Sequence, residues 1–152
     1  MKILVAKNLY VADDSELCHI GKENQVIIHA CKYPCHKLAV GYENKIDPSH
    51  PNYLYKETEK DLYLNMIDPQ MPMFKLELFT KAKEFINKHI SNNIVVIHCN
   101  AGQSRSPMIA MLYTNREDDY EKAKASFRGN YPYFSPTLGI DTFVKDNWEA
   151  LR

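Results

Sequence analysis

The chain has 152 residues, and its 19 Lys and Arg side chains balance its 19 Asp and Glu side chains, so the formal net charge is zero. This length suits a single domain over residues 1–152 that buries about two-thirds of the surface its unfolded chain exposes. The neutral charge balance gives no bulk attraction to nucleic acid or to an anionic membrane. We expect a cytoplasmic protein, because the sequence shows neither a secretory signal nor a run of about 18 apolar residues.

The first part of the chain predicts strands separated by polar segments. Lys2 to Ala6 predicts a first strand and Gln25 to Ala30 a second one, because both are short and apolar. The acidic stretch from Asp13 to Glu16 predicts a short helix or turn between them. Residues 53–55 predict a further short strand, whereas the charge run over residues 56–60 predicts a solvated turn.

Four cysteines occupy positions 18, 31, 35 and 99, and without a secretory signal we expect them to be reduced. The close spacing of His29, Cys31, Cys35 and His36 leaves two interpretations open. The four residues form a zinc site, or they belong to a core strand and the loop after it. The usual Cys-x2-Cys and His-x3-His spacings are absent, which favours the strand and loop, so we expect neither a metal nor a cofactor.

A β-α-β unit is predicted in the middle of the chain. Residues 61–67 predict a strand, apolar residues at helical spacing predict a helix from about Met73 to His89, and residues 94–97 predict the next strand. Strands joined by such a crossover run parallel, and their carboxyl ends open onto the same edge of the sheet. Asp68 and Cys99 follow these two strands, so we expect them to face one crevice.

The loop after the second of these strands carries a candidate nucleophile. Cys99 follows the apolar strand, Gly102 gives the loop backbone freedom, and Pro107 lies near the start of a predicted helix. The first amide groups of a helix are unpaired and its dipole is positive there, so the loop predicts an anion site that also stabilises a thiolate. Arg105 offers a planar fork of donors suited to two oxygens of a tetrahedral oxyanion.

His98-Cys99, five further positions and Arg105-Ser106 together resemble the signature of the cysteine-dependent protein tyrosine phosphatase superfamily, and Ser104-Arg105-Ser106 resembles its dual-specificity branch. The resemblance implies an α/β fold with a central, mostly parallel twisted sheet flanked by helices. It also implies that Cys99 attacks phosphorus to form a phosphocysteine, that Arg105 binds the phosphoryl oxygens and that Ser106 assists breakdown of the intermediate. The phosphate-binding residues are then Asn100, Ala101, Gly102, Gln103, Ser104 and Arg105.

Asp68 is the candidate general acid. Similar phosphatases carry an aspartate for this role about thirty residues before their cysteine, and here the separation is 31 positions (99 − 68). The alternative is that Asp68 only begins a turn before Pro69. Asp61 is a second candidate, but it lies at the other end of its strand. The resemblance gives His98 an orienting, supporting role.

One more candidate site residue lies between the two helices predicted near the end of the chain. Residues 120–128 predict a helix that stops at Gly129, and residues 138–151 predict a closing helix. Relatives commonly carry a Pro-Asn pair before the last helix, and the asparagine braces the phosphate loop. Here the pair is Pro136-Thr137, so Thr137 is the candidate brace.

These observations predict a protein phosphatase that hydrolyses phosphotyrosine, and as a further possibility phosphoserine and phosphothreonine, on a phosphorylated protein partner. The loop residues other than Arg105 are neutral, which favours phosphoprotein over phosphoinositide, since lipid-directed relatives carry extra lysines there. Two alternatives stay open: hydrolysis of a phosphate monoester or a 5′-triphosphate on RNA or a lipid, and a non-catalytic module that binds phosphorylated partners. We expect no membrane partner and no nucleic-acid partner.

Overall fold

The computed structural model describes residues 1–16 and 19–152, without the side chain of Glu16. Its sheet consists of β1 (Lys2–Ala6), β2 (Leu9–Ala12), β3 (Gln25–His29), β4 (Tyr55–Glu57), β5 (Asp61–Leu64) and β6 (Ile94–His98). The strands lie side by side in the order β1-β2-β6-β3-β5-β4. The four inner strands run parallel, and β1 and β4 pair antiparallel at the two edges. The predicted central, mostly parallel sheet is therefore confirmed.

Six α-helices accompany the sheet in the described residues, together with a 3₁₀ turn at Asp14–Glu16 and an irregular turn at Lys32–His36, in which Tyr33 has an extended backbone. The helices are α1 (Lys37–Val40), α2 (Leu76–His89), α3 (Arg105–Thr114), α4 (Tyr120–Asn130), α5 (Leu138–Asp146) and α6 (Trp148–Leu151). Helices α2 and α3 contact each other and strand β6. No helix in the described part of the chain has the length and apolar character needed to cross a bilayer.

The apolar residues of the inner strands and of the helix faces form one core. Val26 to Ile28 of β3 and Val95 to Ile97 of β6 are fully buried, as expected for central strands covered on both faces. In α2, the buried positions recur at helical spacing, so one face of the helix packs on the core. The buried residues of α2 are Leu78, Phe79, Ala82, Phe85 and Ile86.

The parallel strands bring four loops to one edge of the sheet. Ala12 of β2 and His29 of β3 both lie opposite His98 of β6, and Tyr63 of β5 lies opposite His29. The segments that follow these strands therefore begin side by side. This register places the loop after Cys99 next to the segment that carries Asp68.

Two strands differ from the prediction. β2 is absent from the prediction, although it forms a hairpin with β1 through a turn at Asn8, whose φ of 62° lies in the left-handed region that asparagine tolerates. β4 includes Lys56 and Glu57, so the prediction of a solvated turn was wrong for these two residues, whereas residues 58–60 do form the turn between β4 and β5. Glu57 of β4 forms ion pairs with Lys81 at 2.6 Å and with Lys88 at 3.4 Å. These pairs attach the edge strand to α2.

The remaining differences concern element ends. β5 ends at Leu64 rather than Ile67, and α2 begins at Leu76 rather than Met73. Helix α4 continues through Gly129, and the closing helix is divided at Asn147 into α5 and α6. Asp68 therefore lies in an irregular segment well beyond its strand.

Candidate active site

Residues 99–104 form a tight loop between β6 and α3. Gly102 adopts a φ of +69°, and a Cβ atom at this position would lie 2.9 Å from Cε of Met1 and 3.2 Å from the carbonyl oxygen of Ala12. The backbone conformation favours glycine, and a Cβ atom would also crowd these neighbours. The Tyr131 hydroxyl donates a hydrogen bond to the Gly102 carbonyl oxygen. Burial raises the pKa of this tyrosine, so it stays a donor at neutral pH.

The Cys99 thiol lies at the base of the loop with a hydroxyl partner. Sγ of Cys99 is 3.1 Å from Oγ of Ser106, and that hydroxyl donates a hydrogen bond of 3.2 Å to the Ala12 carbonyl oxygen. The Cys99 and Ser106 residues are 1% and 0% exposed. The predicted nucleophile and the predicted helper hydroxyl are therefore in direct contact.

Arg105 begins α3 and extends along the loop. Its Nη1 group donates to the Met66 carbonyl oxygen at 3.0 Å, and its Nη2 group donates to Oδ1 of Asn100 at 2.7 Å. Nε of Arg105 is buried and has no hydrogen-bond partner among the described residues. A buried donor without a partner costs about 1–3 kcal/mol, so an acceptor that reached this N–H would be stabilised there.

The loop amides are also available to an anion. Within residues 1–16 and 19–152, no group accepts a hydrogen bond from the amides of residues 100–105. Ala101 and Gln103 are exposed, so the loop borders solvent. Unpaired amides at the start of a helix, together with a guanidinium, make a site of positive potential that suits a phosphoryl group.

Asp68 is docked against the loop by two hydroxyl groups. The Ser104 hydroxyl donates to Oδ1 of Asp68 at 3.2 Å, and the Thr137 hydroxyl donates to Oδ2 at 3.0 Å. The Thr137 amide in turn donates to Oγ of Ser104 at 3.0 Å. Thr137 therefore touches both the loop and the carboxylate, so the two segments predicted to share a crevice do lie together.

The start of α5 fits closely against the segment that carries Asp68. A Cβ atom on Gly139 would lie 2.2 Å from the Pro69 carbonyl oxygen and 2.3 Å from the Met71 carbonyl oxygen. Only a residue without a side chain permits this approach. Sequence analysis did not single out Gly139, because the contact joins segments distant in the chain and no local pattern marks it.

His98 belongs to a buried polar chain that extends away from the loop. Its Nε2 atom lies 2.7 Å from Nδ1 of His29, and Nε2 of His29 lies 2.8 Å from Oδ1 of Asp61. Burial and the neighbouring His29 lower the pKa of His98 to about 3, so this ring stays neutral. Burial also lowers the pKa of His29, but hydrogen bonds with Asp61 and Cys35 outweigh it and raise the pKa overall. Asp61 thus belongs to this buried hydrogen-bond network rather than lying beside Asp68.

Of the four residues considered as a zinc site, His29 and Cys35 come together, whereas His36 does not join them. His36 uses both ring nitrogens elsewhere, with Nδ1 at 2.7 Å from the Tyr42 hydroxyl and Nε2 at 2.8 Å from the Asn52 carbonyl oxygen. Cys35 lies 4.0 Å from Nε2 of His98. The cysteines at 31, 35 and 99 carry thiols rather than disulfides, whereas Cys18 lies outside the described residues.

Comparison with solved structures gives the fold. The chain is similar to the human tyrosine phosphatase-like serine/threonine/tyrosine-interacting protein, at 19% identity over 98% of this chain and 95% of that chain with a TM-score of 0.65. It is similar to DUSP15 at 16% identity over 99% and 90% of the two chains, with a TM-score of 0.66. It is also similar to Tk-PTP in its active form, at 14% identity over 97% and 96% with a TM-score of 0.64.

These identities are low, and the likeness establishes the fold. Neither a scan against models of protein families nor a search of curated protein sequences gives a match. The predicted resemblance to the dual-specificity branch is confirmed at the level of the fold.

Proposed function

We propose that this chain, whose fold is that of the dual-specificity and tyrosine phosphatases, hydrolyses phosphate monoesters on proteins, chiefly phosphotyrosine, through a phosphocysteine intermediate. The observation that carries the proposal is the cradle at the start of α3. There, the Cys99 thiol, the Arg105 guanidinium with a buried unpartnered N–H and the unpaired amides of residues 100–105 belong to one loop. Such a cradle matches a tetrahedral dianion.

In the first step, the Cys99 thiolate attacks phosphorus in line with the ester oxygen. Arg105 and the amides of residues 100–105 bind the equatorial oxygens, where negative charge develops. Asp68 donates its proton to the leaving oxygen as the phosphorus–oxygen bond breaks. The Ser104 and Thr137 hydroxyls support this role, because they hold the Asp68 carboxyl against the loop.

In the second step, a water molecule attacks the phosphocysteine and gives up a proton to the Asp68 carboxylate. The phosphorus–sulfur bond breaks, and phosphate leaves as the Cys99 thiolate is restored. The Ser106 hydroxyl, which donates to the Ala12 carbonyl oxygen in the structure, turns its proton to the departing sulfur, and its contact of 3.1 Å with Sγ supports this role.

A phosphoprotein is the substrate class that the loop favours. Asn100, Ala101, Gln103 and Ser104 are neutral, so the loop itself offers no cationic side chain beyond Arg105 for the further phosphates of an inositol lipid or of a 5′-triphosphate. A non-catalytic module that binds phosphorylated partners is the second candidate. The name of one structural neighbour, which is called phosphatase-like and an interacting protein, favours this candidate.

Turnover of an aryl phosphate separates the two candidates. We expect the wild-type chain and Cys31→Ser to hydrolyse it, and Cys99→Ser to lose turnover while retaining affinity for vanadate or phosphate. Cys31 is a matched control because it is also a buried thiol. Binding of a phosphotyrosyl peptide without turnover by the wild-type chain would favour the binding module. A set of phosphotyrosyl, phosphoseryl and triphosphorylated RNA substrates then identifies the substrate class.

A further inference from the structure

Three potential metal ligands converge behind the loop, at the carboxyl ends of β3 and β6. Nδ1 of His29, Nε2 of His98 and Sγ of Cys35 all lie within 4.8 Å of one another. The three residues are 0%, 0% and 1% exposed. They come from three separate parts of the chain, and the parallel pairing of β3 with β6 places His29 opposite His98.

The His29 ring is oriented as a metal ligand requires. Oδ1 of Asp61 lies 2.8 Å from Nε2 of His29, which keeps a proton on Nε2 and turns Nδ1 toward the other two residues. Tyr63 stacks on the same ring at a centroid distance of 4.4 Å. A carboxylate on the far nitrogen of a histidine is the usual outer partner of a zinc ligand, because it fixes the ring and makes the ligand more basic.

The distances are close to those of a tetrahedral site. Bonds of about 2.0–2.1 Å to nitrogen and about 2.3 Å to sulfur separate two nitrogens by about 3.3 Å and sulfur from nitrogen by about 3.6 Å. The observed separations are 2.7 Å between the ring nitrogens and 4.0 Å between Sγ and Nε2 of His98. Side-chain shifts of about 0.6 Å and about 0.4 Å bring these two separations to the values of a tetrahedral site.

We propose that His29, Cys35 and His98 bind a zinc ion, with Asp61 as the outer partner of His29. Two imidazoles and one thiolate are a donor set that zinc favours over magnesium or calcium, which take oxygen ligands. On binding, the Cys35 thiol gives up its proton to bulk water, and the proton between the two rings leaves Nε2 of His98 while Nδ1 of the same ring takes one up, so both rings stay neutral and both coordinating nitrogens have a free lone pair. The site adjoins Cys99 in the chain but uses none of the residues of the cradle.

Cobalt binding to the Cys99→Ser protein tests the site, since this variant removes the other candidate thiolate. We expect one equivalent of Co²⁺ to give the visible absorption of a tetrahedral site and a sulfur-to-cobalt charge-transfer band, both displaced by Zn²⁺. Adding Cys35→Ser abolishes the charge-transfer band, whereas adding the matched change Cys31→Ser leaves it intact. Absence of the band in the Cys99→Ser protein, its retention in Cys35→Ser or its loss in Cys31→Ser overturns the proposal.

A measurement without a change at the cluster covers the case in which Cys35→Ser fails to fold. X-ray absorption at the zinc edge of the zinc-loaded Cys99→Ser protein should show imidazole nitrogens and at least one sulfur ligand. A shell of oxygen and nitrogen alone overturns the proposal. Asp61→Asn should weaken zinc affinity by about 10- to 100-fold while keeping the charge-transfer band of cobalt. An unchanged affinity would remove Asp61 from its role, and none of these outcomes depends on phosphatase activity.

Discussion

The hydroxyl of Thr137 should contribute to catalysis through Asp68. Thr137→Val keeps the shape of the side chain but removes the hydrogen bond of 3.0 Å to Oδ2 of Asp68. Asp68 is protonated when it acts as the acid, and a hydrogen bond between neutral groups contributes about 0.5–1.5 kcal/mol; we take the upper end, because Thr137→Val leaves a half-buried acceptor without its donor. A free-energy loss of about 1.4 kcal/mol lowers an equilibrium constant tenfold, so the equilibrium between docked and undocked Asp68 shifts about tenfold away from the docked position. The hydrogen bond from Ser104 remains and limits the loss.

The assay is kcat/KM for a series of aryl phosphates with good and poor leaving groups. Thr137→Val should lower kcat/KM about tenfold for poor leaving groups, which need the proton from Asp68, and much less for good ones. In an Asp68→Asn background the same change should have little further effect, because the two residues act as a unit. Thr80→Val, an exposed threonine on α2, is the matched control. An equal loss for all leaving groups, or an undiminished loss in the Asp68→Asn background, would refute this role.

Three further changes test other parts of the account. Arg105→Lys should lower kcat about 10²–10³-fold, because an ammonium group cannot match two phosphoryl oxygens; a loss below tenfold in steady-state kinetics would count against the cradle. Gly139→Ala should lower the unfolding free energy by about 1–3 kcal/mol, measured by urea denaturation, because the new Cβ atom meets two carbonyl oxygens. Gly129→Ala is the control and should not lower it, because a Cβ atom there has no neighbour within 4 Å. Burial raises the pKa of Asp141, but hydrogen bonds from Tyr120 and Lys124 outweigh it and lower the pKa overall. The charged Asp141 carboxylate therefore stabilises the fold above the ordinary carboxyl pKa, and this contribution is lost as the pH falls through the lower pKa of the folded protein. The loss of unfolding free energy in Asp141→Asn should shrink below about pH 4, and a loss that does not depend on pH would contradict this.

The part of the site that lies within one stretch of chain could be predicted from the sequence. Cys99, Gly102 and Arg105 share a single loop, and the change from an apolar strand to a helix start marks it. Asp68 also could be located, because a β-α-β crossover places the ends of two strands at one edge whatever the details of the loops. Local periodicity and topology were sufficient to predict where these residues lie, whereas the roles given to them also rest on the resemblance to the phosphatase signature.

Contacts between distant segments could not be predicted in this way. Gly139 is marked by its approach to Pro69 and Met71, and Tyr131 by its hydrogen bond to Gly102, and neither has a local pattern. The four residues first considered as a zinc site are neighbours in the sequence, whereas the cluster in the structure joins positions 29, 35 and 98. Proximity along the chain was a poor guide there, because pairing of β3 with β6 decides which side chains meet.

The most direct test of the central claim is to trap the intermediate. The wild-type chain is mixed with a phosphotyrosyl peptide, the reaction is stopped rapidly with acid, and the phosphorylated residue is mapped by mass spectrometry. The account predicts a phosphoryl group on Cys99 during turnover and none in Cys99→Ser. Turnover with an unmodified Cys99, or with the phosphoryl group on another residue, would contradict it.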